Sequence, residues 1–243
     1  MNDFFVPEKA YKNLDFLNSR DARVIRILAE YLEPLQRMRN LKVNSTVLFL
    51  GSARAHPDKR ESVLGKYYWE AEELAFKLAE WAIKLKPKGK NFVICTGGGP
   101  GIMEAANRGA SRAGGKSIGM NISLPHEQFP NAYISPELSF LFHYFFMRKF
   151  WLVYQAKAVI AFPGGYGTLD ELFETLTLIQ TEKMQKKHVP ICLYGEEYWR
   201  NVIHFEALVE HGAITPKDLE IFEYCSDIEG TLGLLKKRLI NLL

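Results

Sequence analysis

The 243-residue chain is 47% hydrophobic and 24% charged, and its formal net charge at pH 7 is +3. These values are ordinary for a soluble globular protein, and the length suffices for one large α/β domain with a substantial core. A net charge this small does not favour a nucleic acid partner, since nucleic-acid-binding proteins typically have a concentrated basic face. Cys95, Cys192 and Cys225 form no C-x-x-C pair, so we expect buried free thiols in a reducing compartment rather than disulfides or a zinc site.

The placement of charged residues argues against both an export signal and a membrane span. The segment Met1–Asn13 has no cationic stretch followed by an apolar one, so it does not resemble a signal peptide. The apolar run Leu138–Phe162 is interrupted by Arg148, Lys149 and Lys157, so it is not expected to span a membrane. The sequence therefore predicts a cytoplasmic protein.

Apolar periodicity predicts an alternation of helices and strands. An amphipathic helix over Arg20–Arg39 forms an N-terminal helical extension (residues 1–44) to a single domain (residues 45–243). Strands are predicted at Thr46–Leu50, Phe92–Cys95, Lys116–Ile122, Ala158–Phe162 and Val189–Tyr194, and helices at Tyr67–Leu85, Ile102–Arg112, Leu138–Ala156 and Leu172–Gln180. Two further helices are expected to flank Ile221–Tyr224. This alternation predicts an α/β fold, a doubly wound parallel sheet of the modified Rossmann type.

Three glycine loops follow predicted strands. They are Gly51–Arg54, Gly97–Gly101 and Pro163–Thr168. In a doubly wound sheet the ligand lies at the carboxyl ends of the strands, where the strand order reverses. We therefore expect these loops to meet in one crevice.

The loop at Pro163 stands between an apolar strand and a helix, which is the usual device for holding an anion. An acidic residue just inside such a helix repels an anion and needs a reason to be there. One reason is a capping box, with Thr168 as N-cap and Glu171 three residues later. The other is chemistry on a ribose phosphate, with Glu171 facing the sugar.

Two other motifs suggest cofactor chemistry but lack the context for it. Ala110–Ser117 matches a relaxed P-loop pattern, yet a helix precedes it and a strand follows, so Gly114 is better interpreted as a helix stop. The Gly97 loop lacks the G-x-G-x-x-G spacing of a dinucleotide site. No lysine stands in a distinctive context for pyridoxal phosphate.

Arg148 and Lys149 lie within an aromatic helical stretch that is apolar nearly all round. Burying an unpaired cation is costly, so each must pair with an acid, reach solvent or face an anionic ligand. The sequence alone leaves these alternatives open.

The string Pro163-Gly-Gly-Tyr-Gly-Thr-Leu-Asp-Glu171 resembles the P-G-G-x-G-T-x-x-E signature of the LOG family, the nucleoside 5′-monophosphate phosphoribohydrolases long misnamed lysine decarboxylases. Gly51-Ser-Ala-Arg54, Gly97–Met103 and Arg148-Lys149 occur in the family's order, so the resemblance covers most of the chain. The N-terminal extension and the Leu124–Gln128 loop look more like the longer bacterial members than the short plant-type enzymes.

The resemblance implies hydrolysis of the N-glycosidic bond of AMP or a cytokinin riboside 5′-monophosphate, with Glu171 as catalytic carboxylate and Arg148 as its cationic partner. The other implied substrate-binding residues are Gly164, Gly165, Tyr166, Gly167, Thr168, Asp170, Lys149, Thr177, Gly51, Ser52, Gly97, Gly98, Gly99 and Glu127. The resemblance also implies that the protein needs no cofactor and no metal. It implies a homodimer or larger homo-oligomer. A nucleotide- or cofactor-binding carrier of the same fold that performs no hydrolysis is the alternative; a plain structural or interaction module remains a third hypothesis.

Overall fold

The fold is known from a computed structural model, which describes residues 7–124, 129–183 and 189–243. The strands are β1 (Thr46–Leu50), β2 (Val93–Thr96), β3 (Ser117–Ile122), β4 (Ser139–Phe142), β5 (Ala156–Ala161), β6 (Ile191–Tyr194) and β7 (Phe222–Cys225). They form one seven-stranded sheet in the order β4-β3-β2-β1-β5-β6-β7, and every neighbouring pair is parallel. The predicted α/β fold with a doubly wound parallel sheet is confirmed.

The helices follow the predicted alternation with different ends. They are α1 (Leu14–Asn18), α2 (Arg23–Asn40), α3 (Val63–Leu85), α4 (Ile102–Arg112), α5 (Phe145–Tyr154), α6 (Tyr166–Gln180), α7 (Glu196–Val202), α8 (Phe205–Glu210) and α9 (Ile228–Leu239). Short 3-10 turns occur at Ala10–Lys12, Lys86–Lys88, Pro136–Leu138 and Pro216–Ile221. The segment Phe222–Cys225 is flanked by α8 and α9, with α7 as an additional short helix before them.

The prediction of one continuous helix over Leu138–Ala156 is wrong. Its first part is the edge strand β4, which pairs with β3, and only Phe145–Tyr154 is helical. In β4 the side chains alternate, since Phe140 and Phe142 are buried while Leu141 is exposed. Four residues are too few for this alternation to be distinguished from the neighbouring aromatic run.

Both faces of the sheet are covered. Along β1, Val47 and Phe49 pack into the core beneath α3, α4 and α9, whereas Leu48 and Leu50 pack into the core on the side of α5 and α6. A strand buried on both faces explains why the sequence of β1 is continuously apolar. The three cysteines are free and buried within these cores, as predicted.

The N-terminal helix α2 lies against β4 and α5. The Trp151 Nε1 group donates to the Glu30 carbonyl oxygen (2.9 Å), and the His143 amide donates to Glu30 Oε1 (2.7 Å). Arg37 Nη1 donates to the Ser139 carbonyl oxygen (2.8 Å). The extension therefore fixes the position of the helix that carries Arg148.

The chain leaves the centre of the sheet in two directions from β1 and β5. From β1 it proceeds through β2 and β3 to β4, and from β5 through β6 to β7. The connections after these two strands separate to opposite faces, which opens a crevice above their carboxyl ends. The predicted position of the ligand site is next to this switch point.

Candidate active site

The three glycine loops are joined to one another by backbone hydrogen bonds. The Ser52 amide donates to the Pro163 carbonyl oxygen (3.0 Å), and the Ile102 amide donates to the Ser52 carbonyl oxygen (3.0 Å). Gly101 has a φ of +73°, and a Cβ there would overlap the Ser52 carbonyl oxygen. The three loops therefore meet at the carboxyl ends of the strands, with the Gly97 loop beside the other two, as predicted.

The first turn of α6 presents unused amide donors to this crevice. The helix begins at Tyr166 with Gly165 as its N-cap, and no side chain caps it. Helix geometry leaves the amides of Tyr166, Gly167 and Thr168 without intrahelical acceptors. These donors and the positive end of the helix dipole favour an anion at this point.

The capping box predicted for Thr168 and Glu171 is wrong. Thr168 lies inside the first turn, because the helix starts two residues before it. Its side chain instead packs against Gly164, where a Cβ would overlap Thr168 Oγ1. Tyr198 Oη donates to the Gly164 carbonyl oxygen (2.6 Å), which fixes the loop from the other side. With its capping role removed, Glu171 needs another explanation.

Glu171 is paired with Arg148 at the base of the crevice. Arg148 Nη1 donates to Glu171 Oε1 (2.8 Å), and the two side chains are 11% and 12% exposed, respectively. Arg148 Nε donates to the Met120 carbonyl oxygen at 2.7 Å. The guanidinium group also lies against Gly97, where a Cβ would overlap Arg148 Nη2. Gly97 is therefore required so that the arginine can reach the carboxylate.

Burial raises the pKa of the Glu171 carboxyl above its ordinary value, although the Arg148 guanidinium lowers it. Desolvation disfavours the charged form, and an opposite charge favours it. The pair therefore holds a carboxylate in a nearly dry environment with one cation in contact. Such a perturbed carboxyl in a cleft is typical of functional sites.

The crevice is a cavity of about 770 Å³. It is lined by Gly51, Ser52, Ala53, Arg54, Val63, Leu64, Met103, Arg148, Gly164, Gly165, Tyr166, Gly167, Thr168, Leu169, Glu171, Tyr198 and Val202. The volume lies in the usual range for small-molecule sites, about 300–1,000 Å³. The structure thus brings together these members of the predicted set: Gly51, Ser52, Arg148, Gly164, Gly165, Tyr166, Gly167, Thr168 and Glu171.

Other predicted residues lie outside the lining of this cavity. Lys149 Nζ is 2.7 Å from Asp170 Oδ2 and 3.6 Å from Glu174 Oε2, so the second cation of α5 is held by two acids of α6. Thr177 is exposed, and its hydroxyl donates to the Phe173 carbonyl oxygen (2.7 Å). These contacts satisfy the polar groups of Lys149, Asp170 and Thr177 within the protein, without a bound ligand.

The Gly97 loop contributes beside the cavity rather than within it. Gly97 lines a smaller neighbouring cavity of about 150 Å³, which shares Arg148 and Met103 with the large one. The carbonyl oxygens of Gly98 and Gly99 each accept from Asn131 Nδ2 (3.1 Å), and Gly98 has a φ of +78°. These two glycines shape the loop. The predicted residue Glu127 lies outside the described residues.

Several lining residues were not selected by sequence reasoning, among them Arg54, Met103 and Tyr198. Arg54 ends the Gly51-Ser52-Ala53-Arg54 string and follows a strand, which is the signal that could have identified it. Tyr198 is on α7, and its contact with Gly164 joins residues far apart in sequence, so no local pattern predicts it.

A family model described as "possible lysine decarboxylase" matches residues 103–235, more than half of the chain, including Arg148 and Glu171. The chain belongs to the LOG family. This LOG protein is 30% identical over 173 residues to a probable cytokinin riboside 5′-monophosphate phosphoribohydrolase of Oryza sativa subsp. japonica, a match that covers 70% of this chain and 62% of the rice protein. A Rhodococcoides fascians cytokinin riboside 5′-monophosphate phosphoribohydrolase is 29% identical over 163 residues, covering 66% and 80% of the two chains, respectively.

Solved structures resemble this LOG protein in fold. The molybdenum cofactor carrier protein of Chlamydomonas reinhardtii aligns with a TM-score of 0.54 at 19% identity, covering 81% of this chain and 99% of that one. A molybdenum cofactor binding protein from Rippkaea orientalis aligns with a TM-score of 0.51 at 23% identity, covering 79% and 94%. At these identities the likeness shows the shared fold alone.

Two features are absent from the described part of this LOG protein. No described helix is both long and apolar enough to cross a membrane. Within the same residues, no cluster of at least three His, Cys, Asp or Glu side chains has the proximity to hold a metal ion.

Proposed function

We propose that this LOG protein hydrolyses the N-glycosidic bond of a nucleoside 5′-monophosphate, AMP or a cytokinin riboside 5′-monophosphate, to the free base and ribose 5-phosphate. The proposal rests mainly on the buried Glu171–Arg148 pair, which lies about one helical turn from the free amides of α6. The anion site at the first turn of α6 is therefore close to the desolvated carboxylate of Glu171. This arrangement suits a sugar that is held by its phosphate.

In the proposed reaction the phosphate binds at the first turn of α6, and the ribose extends along the cavity toward Glu171. The C1′–N bond breaks as water adds through its oxygen to C1′, and a proton from the water ends on the departing base. Positive charge develops on the sugar in an oxocarbenium-like transition state. The Glu171 carboxylate stabilises that charge or orients the water, and it acts more strongly because it is desolvated. Arg148 holds the carboxylate in position.

The direct test is incubation of the purified protein with AMP, followed by chromatography of the products. We expect adenine and ribose 5-phosphate in equal amounts. A panel of purine and pyrimidine monophosphates, including an N6-prenylated one, then determines the base preference. Saturable binding of AMP without release of base would contradict hydrolysis.

The second candidate function is a carrier that binds a nucleotide or cofactor without hydrolysis. It is supported by the two solved structures of similar fold that are named as molybdenum cofactor carrier or binding proteins. Fold alone does not determine activity. The AMP assay separates the two functions, because a carrier would bind ligand and leave the glycosidic bond intact. Neither binding nor release of base would instead favour a structural module.

The proposed role of Glu171 predicts a pH dependence. The ionised carboxylate is the active form, so kcat/KM is expected to fall on the acidic side with a midpoint above the ordinary value of 4.5. For a carboxyl whose pKa is higher folded than unfolded, the contribution to stability is present below 4.5 and is lost as the pH rises through the raised value. Initial rates of AMP hydrolysis between about pH 4 and 9 test the expected fall of kcat/KM on the acidic side. A rate that instead declines as the pH rises through this range would assign Glu171 a protonated, acid role.

We also propose a homodimer or a larger symmetric oligomer. Leu28 and Leu32 of α2 and Phe145 and Phe146 of α5 are each at least half exposed, and large apolar side chains exposed in this number are costly in water. Light scattering at low micromolar concentration is expected to give at least twice the chain mass of 27.9 kDa. A monomer of that mass with intact activity would contradict the proposal.

A further inference from the structure

The charged side chains that line the large cavity are few. Within the described part of the chain they are Arg54, Arg148 and Glu171. Arg148 is already committed, because its Nη1 group contacts Glu171 Oε1 and its Nε group contacts the Met120 carbonyl oxygen. Its charge is balanced by the carboxylate, and its position at Gly97 leaves it little freedom to turn toward another anion.

The remaining lining cation is Arg54. Its side chain is exposed and forms no ion pair with another described residue. Its backbone, by contrast, is firmly placed: the Arg54 amide donates to Ser52 Oγ (3.1 Å), and the Ser52 amide donates to the Pro163 carbonyl oxygen (3.0 Å). An exposed guanidinium group is thus attached to a fixed point beside the loop that precedes α6.

A phosphate monoester needs more positive charge than the helix supplies. It carries about −1.5 to −2 charges near neutral pH, whereas a helix N-terminus provides the equivalent of about +0.5. A guanidinium group matches phosphate oxygens in a bidentate geometry. A side-chain cation would therefore strengthen the binding of the phosphate, and Arg148 is already paired with Glu171.

We propose that Arg54 is the phosphate-binding cation of this site and that it gives the protein its preference for 5′-phosphate monoesters over unphosphorylated nucleosides. The inference rests on the proposed function and deepens it by assigning the specificity for the phosphate to one residue. Arg148 then supports Glu171, as proposed above, and does not bind the phosphate.

The kinetic test compares AMP with adenosine. Arg54→Ala is expected to lower kcat/KM for AMP about ten- to a hundredfold, mainly through a higher KM, because one charged hydrogen-bonding group is lost. The rate with adenosine is expected to stay unchanged, so the AMP/adenosine ratio falls by the same factor. Arg54→Lys should recover part of it by keeping the charge. Arg39→Ala, at an exposed position of α2 outside the cavity lining, is the matched control and should behave as wild type.

A binding test keeps the inference separate from hydrolysis. Calorimetric titration with AMP, and separately with inorganic phosphate, is expected to show the same loss of affinity in Arg54→Ala. If the wild type binds AMP but releases no adenine, the proposed hydrolysis fails and the loss of affinity still supports Arg54. An unchanged KM and affinity for AMP in Arg54→Ala, or an equal loss with AMP and adenosine, would overturn the assignment. Absence of wild-type binding to AMP and phosphate would overturn both proposals.

Discussion

Replacing Glu171 by Gln is expected to lower kcat for AMP hydrolysis by about a hundredfold or more while the protein stays folded. Gln has nearly the same shape and retains an oxygen that can accept from Arg148 Nη1, so the hydrogen bond at 2.8 Å has a substitute. It lacks the negative charge that opposes the positive charge of the transition state. Steady-state kinetics with AMP, together with a urea unfolding curve, measure the two effects separately.

The matched control for this variant is Glu174→Gln. Glu174 is on the same helix, one turn further along, and its carboxylate lies 3.6 Å from Lys149 Nζ, outside the cavity lining. It should keep nearly full activity because no reacting atom is near it. Near-normal turnover by a folded Glu171→Gln protein would leave Glu171 with a structural role only. A large loss in both variants would indicate a general effect of charge on α6.

The sequence predicted the sheet well because the strands β1, β2 and β5 are mostly apolar and each is followed by a glycine loop. The sequence signal is weakest at β4, where a short strand adjoins an aromatic helix. Phe140 and Phe142 face the core while Phe145 and Phe146 are exposed, and composition does not separate these two environments. Contact with β3 decides that Ser139–Phe142 is a strand, and that contact is not local.

For the site, the glycine string gave the position of the anion-binding turn, but not the residue at which α6 begins. The start at Tyr166 is fixed partly by the packing of Thr168 against Gly164 and by the hydrogen bond from Tyr198 on α7. The partners of Lys149 likewise come from another helix. Sequence therefore predicts which loops meet, whereas the pairing of charges depends on tertiary packing.

Replacing Arg148 by Ala is expected to lower kcat/KM for AMP by about tenfold to a thousandfold. The variant leaves the Glu171 carboxyl buried without its contacting cation and leaves the Met120 carbonyl oxygen without its donor. Since Arg148 lowers the pKa of Glu171 against the effect of burial, its removal should shift the acidic limb of the rate profile to higher pH. Some loss of stability is also expected, because one partner of a buried ion pair has been removed.

The shift of the acidic limb distinguishes support of Glu171 from a merely structural contact. Arg112→Ala is the matched control, because it removes an arginine at the end of α4 that pairs with Glu73 of α3 (2.6 Å), and both residues are outside the cavity lining. It should leave both the rate and its pH profile unchanged. In the double variant Arg148→Ala/Glu171→Gln the two losses should not add, since the arginine acts through the carboxylate. A destabilised Arg148→Ala protein with wild-type specific activity and an unshifted profile would reduce the pair to a structural ion pair.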